Sequence, residues 1–103
     1  MKVVHFNTVE FGKALADETR QKIMKLICCK QMSVNQIVAA LDVAQPTVSH
    51  HLNILRNAGL VDVERRGKQV LYTLNQERLA NGCCKVAESF APQQHVQITE
   101  SPC

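Results

Sequence analysis

Cysteine is the residue type that offers this chain the most distinctive chemistry. Five cysteines occur in 103 residues: the adjacent pairs Cys28-Cys29 and Cys83-Cys84, and Cys103. Adjacent cysteines seldom bridge each other, because a disulfide needs Cα atoms about 4.4–6.8 Å apart and a small ring strains that geometry. The chain contains no C-x-x-C pair, which argues against a zinc ribbon or a thioredoxin-like redox motif. The cysteines therefore act either as small apolar side chains or as a thiolate site assembled in space.

Basic residues form the second group with chemical potential. Arg65, Arg66 and Lys68 cluster around Gly67 in a chain whose net charge is +3. A diffuse charge of this size allows nucleic-acid binding without requiring it, so position matters more than the total. The cluster indicates either a plain solvated turn or a contact with a phosphate backbone.

Two amphipathic helices are predicted at the start of the chain. Thr8 is a suitable N-cap for the first helix, which extends to about Ala16 on the spacing of its apolar residues. A second helix is predicted from about Thr19 to Lys30, where acidic residues stand at its start.

Two short helices then predict a helix-turn-helix. Ser33 and Gln36 form a capping box that opens a helix ending at Leu41. A further helix begins near Gln45, with a proline in its first turn, and ends at Gly59, which suits a left-handed stop. Two helices joined by a turn of about three residues are typical of this motif.

A hairpin and a last helix complete the order of elements. Residues 61–64 and 69–74 read as two strands joined by the basic turn, and residues 76–91 as a helix ended by Pro92. The pair Asn81-Gly82 inside that helix is a combination that often interrupts helices. The fold class is therefore mainly α with a small β-hairpin (α+β), a winged helix-turn-helix of order α-α-α-α-β-β-α. We expect a single domain over residues 1–92 and a flexible tail over residues 93–103.

The predicted fold assigns DNA contacts to two elements. The second helix of the motif enters the major groove, and the hairpin flanks the backbone. His50 and His51 point about 100° apart, so one is expected to meet DNA and the other to pack. The predicted DNA-binding residues are Gln45, Thr47, Ser49, His50, Asn53, Arg56, Arg65, Arg66 and Lys68.

Three separated segments resemble the ArsR/SmtB family of small bacterial repressors. They are Ala14–Arg20, the stretch from Gln45 to Val61, and Arg66–Leu74, which is similar to the family's wing. The match covers roughly residues 8–90. The resemblance implies a homodimer that binds double-stranded operator DNA and releases it when an inducer, usually a metal ion or metalloid, binds.

The chain departs from the family at its sensor sites. Residues 34–41 hold no cysteine, and residues 76–91 hold no histidine, so the resemblance provides neither the Cys-x-Cys arsenic site nor the His-x-x-Glu zinc site. Some members instead use cysteines of the last helix and tail, an arrangement that Cys83, Cys84 and Cys103 resemble. The implied inducer is As(III) or Sb(III), with Cd(II) as a further candidate, because soft ions prefer thiolates. Cys28 and Cys29 form the second candidate site.

Several alternatives follow from the same residues. The thiols could instead sense redox state or persulfide, or the domain could be a protein-interaction module with inert cysteines. An enzyme is the weakest interpretation, because no phosphate loop, H-E-x-x-H or nucleophile elbow occurs, so we expect no catalytic residue and no catalytic cofactor. No segment approaches the roughly 18 apolar residues of a membrane span, and no signal peptide is recognised, so a cytoplasmic location is expected. The thin core expected at this length favours a partner subunit, with Val9, Phe11, Leu79, Val86 and Phe90 at the interface.

Overall fold

A computed structural model describes residues 6–94 of the chain. Its elements follow the predicted order, with five helices and one two-stranded antiparallel sheet over this range. The predicted winged helix-turn-helix is confirmed. The elements are α1 (Thr8–Leu15), α2 (Glu18–Ile27), α3 (Val34–Leu41), α4 (Gln45–Asn57), β1 (Val61–Arg66), β2 (Gln69–Leu74) and α5 (Gln76–Phe90). From residue 95 onward, the predicted tail lies outside the described residues.

The first two helices differ from the prediction at their ends. Asn7, rather than Thr8, caps α1, since its side chain accepts from two backbone N–H groups at 3.0 Å. Asp17 caps α2, which ends at Ile27 rather than at Lys30. The chain leaves the helix early because Met32 must be extended to pair with Tyr72 of β2.

The helix-turn-helix is set by local signals. Ser33 and Gln36 make both bonds of the predicted capping box, which fixes the start of α3. The turn that follows uses Asp42 in the left-handed conformation, at φ 53°. Gly59 ends the segment after α4 at φ 76°, as predicted. These residues fix the directions in which α3 and α4 leave the core.

The wing is a hairpin that is also bonded to the segment before α3. Its register runs from Val61 opposite Leu74 to Arg66 opposite Gln69. Met32 exchanges two backbone hydrogen bonds with Tyr72, at 3.1 and 2.8 Å. The wing is therefore joined to the segment that enters α3, a connection that the sequence did not indicate.

The core lies beneath α4 and reaches every helix. Its fully buried side chains come from α2, α3, α4 and the entry to β1; they are Ile23, Ile27, Ile37, Val48, Leu52, Leu55 and Leu60. Burial of these side chains supplies the main driving force for this part of the fold.

Helix α5 is continuous through Asn81-Gly82, so the suspected interruption is absent. A Cβ on Gly82 would stand 2.2 Å from Cε1 of Phe11, which shows that the ring of α1 packs directly on the α5 backbone. The rings of Phe6 and Phe11 are tilted by 50° with their centroids 5.4 Å apart, and the Lys85 ammonium lies over the Phe6 ring. The glycine thus serves close helix packing rather than a break.

Within residues 6–94, no helix is long and apolar enough to cross a membrane.

Candidate nucleic-acid interface and thiol sites

Helix α4 separates its side chains into a buried face and an exposed face. Val48, Leu52 and Leu55 are at most 1% exposed. Every residue of this helix that the sequence assigned to DNA contact is exposed, namely Gln45, Thr47, Ser49, His50, Asn53 and Arg56. Donors and acceptors of this kind can address base edges and phosphates in a major groove. These exposed side chains therefore form a continuous polar surface on the side of the helix that faces away from the core.

The two adjacent histidines of α4 have different environments. His50 is exposed, whereas only 12% of the His51 side-chain surface is accessible. Their ring planes are tilted by 53°, with centroids 5.7 Å apart. His50 therefore belongs to the polar surface, and His51 is the packed member of the pair.

His51 belongs to a polar cluster at the junction of α1 and α2. Its Nδ1 lies 2.9 Å from an Arg20 guanidinium nitrogen, and its Nε2 lies 4.0 Å from Asp17 Oδ1. Burial lowers the pKa of His51, and Asp17 opposes that shift while Arg20 and His50 add to it. The backbone N–H of Arg20 lowers the pKa of Asp17 by donating to its carboxylate.

The wing tip is exposed and carries one internal ion pair. Arg66 Nε donates to Glu64 at 3.0 Å, and the Gln31 side-chain amide donates to the same carboxylate. These two donors lower the pKa of Glu64, Gln31 more than Arg66. Among the described residues, Arg65 forms no ion pair, and it lies on the face of β1 opposite Glu64 and Arg66 because successive strand residues alternate.

Cys83 and Cys84 are both half-buried on α5. Burial raises the pKa of the Cys83 thiol, and Cys84 raises it further. Over residues 6–94, no three or more side chains of His, Cys, Asp and Glu stand close enough together to hold a metal ion. The third predicted ligand, Cys103, lies outside the described residues.

The second cysteine pair follows the end of α2. The sulfur atoms of Cys28 and Cys29 are 3.3 Å apart, and the Cys28 thiol donates to the Lys25 carbonyl. Cys28 also lines an apolar groove with Met24 and Leu79. The Cys28 side chain is therefore half-buried, partly packed in the groove and partly exposed to solvent.

Two side-chain contacts near the candidate interface could not be predicted from the sequence. Arg20 and His51 stand 31 positions apart, and Gln31 and Glu64 stand 33 apart, so no local pattern connects them. Arg20 was noticed only as the last residue of a segment that resembles the family. The acidic Glu64 beside the basic turn was the one local signal that part of the wing's charge is neutralised internally.

Comparison with known proteins identifies the family. The model of the bacterial regulatory protein arsR family matches residues 17–63. The transcriptional repressor SdpR of Bacillus subtilis is 38% identical over 63 residues, 61% of this chain and 70% of that protein. The repressor SmtB of Mycobacterium tuberculosis is 44% identical over 72 residues, 70% of this chain. The matched region spans only 53% of that SmtB repressor.

Solved structures agree with this result. An ArsR-like transcriptional regulator from Rhodococcus has a TM-score of 0.75 at 25% identity, covering 82% of this chain and 80% of that one. Reduced HlyU from Vibrio cholerae has a TM-score of 0.64 at 30% identity, covering 82% and 88%. The curated relatives are named as transcriptional repressors, which confirms the prediction of a DNA-binding regulator rather than an enzyme. The chain belongs to the arsR family of bacterial regulatory proteins.

Proposed function

We propose that this protein represses transcription by binding operator DNA as a homodimer. The observation that carries the proposal is the division of α4 into a buried apolar face and an exposed polar face. The buried face anchors the helix to the core, so its exposed donors and acceptors are presented together on the opposite face. Arg65, Arg66 and Lys68 are exposed at the wing tip, where they would contact phosphates.

The DNA-binding proposal is tested on duplexes selected from a random library by the wild-type protein. Ser49→Ala and His50→Ala should each weaken binding to the selected duplex by about 1–3 kcal/mol, with a smaller effect on random DNA. Lys22→Ala is the control, because this exposed lysine lies on α2 and is paired with Glu18 at 3.5 Å. Equal losses on both kinds of DNA would show that the two residues position the protein without reading sequence.

The homodimer is supported by apolar side chains that α1 and α5 leave in solvent. Val9 is 62% exposed and Phe90 82% exposed, while Leu79 and Val86 are half-buried. Phe11 was predicted at the interface but is only 4% exposed and packs on Gly82 of its own chain, so we do not include it in the proposed interface. A second copy that covers α1 and α5 would remove this surface from water.

Light scattering tests the assembly. Phe90→Glu should give a monomer that keeps its helical content, because the side chain has little contact within its own chain. Leu79→Asp should also dissociate the dimer, but Leu79 packs against the core, so its fold must be checked by circular dichroism. A dimer that survives both substitutions would exclude α5 from the interface.

We propose Cys83 and Cys84 as inducer ligands, with Cys103 or a thiol of the second copy as the third. The inducer would be As(III) or Sb(III), with Cd(II) as a further candidate; metal-responsive relatives include a cadmium resistance regulatory protein from Listeria innocua. Arsenite carries three hydroxyl groups, and each thiol proton leaves with one of them as water. The Cys83 proton, which burial holds by raising the thiol pKa, therefore has a place to go when the ligand is arsenite.

Release of the selected duplex by arsenite tests the thiol site. Cys83→Ser and Cys84→Ser should each keep DNA affinity and abolish release, because oxygen is too hard a ligand for trivalent arsenic. Cys28→Ser is the matched control and should respond like the wild type. A chelating dithiol should restore DNA binding without any oxidant. Release by peroxide or persulfide and indifference to arsenite would favour the redox alternative instead.

A further inference from the structure

Arg20 joins three helices through one guanidinium group. Its Nε donates to the Ala14 carbonyl at 2.8 Å, and Nη2 donates to the Lys13 carbonyl at 2.9 Å. Both carbonyls belong to the last turn of α1, and the Lys13 carbonyl also accepts from the Ala16 N–H at 3.2 Å. The third contact is the 2.9 Å bond between Nη1 and Nδ1 of His51 on α4. One side chain at the start of α2 therefore connects the end of α1 with the predicted recognition helix.

The contact with Arg20 fixes the protonation state of His51. A guanidinium group can only donate, so Nδ1 must be the unprotonated acceptor. The ring proton then resides on Nε2, which faces Asp17 Oδ1 at 4.0 Å. A second proton on Nδ1 would remove the bond and place a positive ring against a positive guanidinium. The observed arrangement exists only with a neutral imidazole.

We propose that Arg20 and His51 are positioning residues that hold α4 in its DNA-binding orientation only while His51 is neutral, so that acidification weakens operator binding. This inference rests on the proposed DNA-binding function. Protonation would leave the bonds of Arg20 to α1 in place and break the connection to α4. The predicted recognition helix would then lose its polar contact with Arg20, while its apolar face stays buried against the core.

The surroundings of His51 give the direction of the pH effect. The charged groups acting on its ring are Asp17 and Arg20 from the start of α2 and His50 from its own helix. Burial is the largest influence and lowers the pKa of His51 below 6.5, with Arg20 and His50 acting in the same direction and Asp17 against them. The contribution of the neutral ring is therefore complete above pH 6.5 and is lost as the pH falls through the lower folded-state pKa.

The neighbouring histidine is replaced in the experiment, so that His51 is the imidazole of α4 that remains. His50 is exposed on the polar face of α4 and is one of the charged groups acting on the His51 ring. In a background of His50→Asn, a further His51→Asn substitution should remove an acid-induced weakening of binding. Asparagine suits the test, because its Oδ1 occupies nearly the position of Nδ1 and can accept from Arg20 at any pH.

The experiment measures binding to the selected duplex from pH 7.5 to 5.5 at constant ionic strength. In a background of His50→Asn, the chain with His51 should bind more weakly at pH 5.5 than at pH 7.5, by at most about tenfold, because one group whose pKa lies below 6.5 is protonated over that interval. His51→Asn in that background should flatten the profile and keep the affinity at pH 7.5. His51→Ala should weaken binding at both pH values, because it offers Arg20 no acceptor.

A second measurement uses the protein without DNA. In proton–nitrogen NMR spectra, the backbone amides of α4 should shift with the titration of the His51 ring, and His51→Asn should abolish those shifts. Identical pH profiles of DNA binding with and without His51 would overturn the proposal, as would α4 amides that ignore the titration. A wild-type protein that binds no selected duplex would instead refute the proposed function, and the NMR titration would still decide whether protonation moves α4.

Discussion

Helices α4 and α5 are both amphipathic, but the chain buries the apolar face of α4 and leaves that of α5 partly exposed. Helix α4 buries Val48, Leu52 and Leu55 almost completely within one chain. Helix α5, which is two residues longer, fully buries only Gly82, and its last residue, Phe90, is 82% exposed. An apolar stripe in a sequence thus predicts a helix face without showing whether the same chain covers it. The apolar face of α4 is buried within one chain, whereas that of α5 would be buried by a second molecule.

The largest expected effect comes from matched leucine truncations in the two helices. Leu55→Ala should lower the free energy of unfolding by about 2–5 kcal/mol, because the side chain is fully buried and leaves a cavity. Leu79→Ala on α5 should cost about 1–2 kcal/mol under monomeric conditions, because Leu79 is only half-buried. Urea denaturation at low protein concentration measures both. Equal losses would remove the distinction between the helices.

The contact between α1 and α5 gives the next largest effect. Gly82→Ala should destabilise the protein by about 1–3 kcal/mol, because its Cβ would overlap the Phe11 ring and force a shift. Gly12→Ala is the control: no atom lies within 4 Å of the added Cβ, so alanine should stabilise α1 by about 0.5–1 kcal/mol. Thermal unfolding of both variants provides the comparison. A stabilising Gly82→Ala would mean that Phe11 moves away at little cost.

A smaller effect is expected from the exposed end of α5. Phe90→Ser should hardly change the unfolding midpoint at low protein concentration, where the side chain lies in solvent. At high concentration the wild type should melt several degrees higher than the variant, because association stabilises the folded state by mass action. A melting temperature independent of concentration would indicate that α5 is complete in the monomer.

The smallest effect concerns the turn before α4. Asp42 adopts φ 53°, a conformation that glycine tolerates better than aspartate. Asp42→Gly should raise the free energy of unfolding by up to about 1 kcal/mol, measured by urea denaturation. A loss of stability would show that contacts of the aspartate side chain outweigh the strain of its backbone.

Local chemistry explains why much of the fold was predictable. The capping box at Ser33 and the left-handed stop at Gly59 act over a few residues, so the sequence alone specified the helix-turn-helix. Local propensity gave the wrong prediction at Gly82. Glycine weakens an isolated helix, but here it permits the close approach of Phe11 to a continuous α5. Propensity was overridden there by tertiary packing.

The candidate sites show the same division. The exposed face of α4 follows from helical periodicity, so all six of its predicted DNA-binding residues are exposed. The assignment of His51 to packing required Arg20, which is distant in the sequence. Cysteine spacing placed two thiols on one helix, but a site that needs a third sulfur depends on chain geometry that spacing does not encode.

The bridge between Met32 and Tyr72 gives the wing the mechanics of a cantilever. Its root is clamped by two backbone hydrogen bonds to the entrance of α3, while the strand pair continues beyond the clamp to the turn at Gly67. We expect bending to concentrate in the overhang, and a rotation of α3 to displace the tip more than the root. The basic residues at the tip would magnify small motions of the domain into large changes in their distance from a bound duplex.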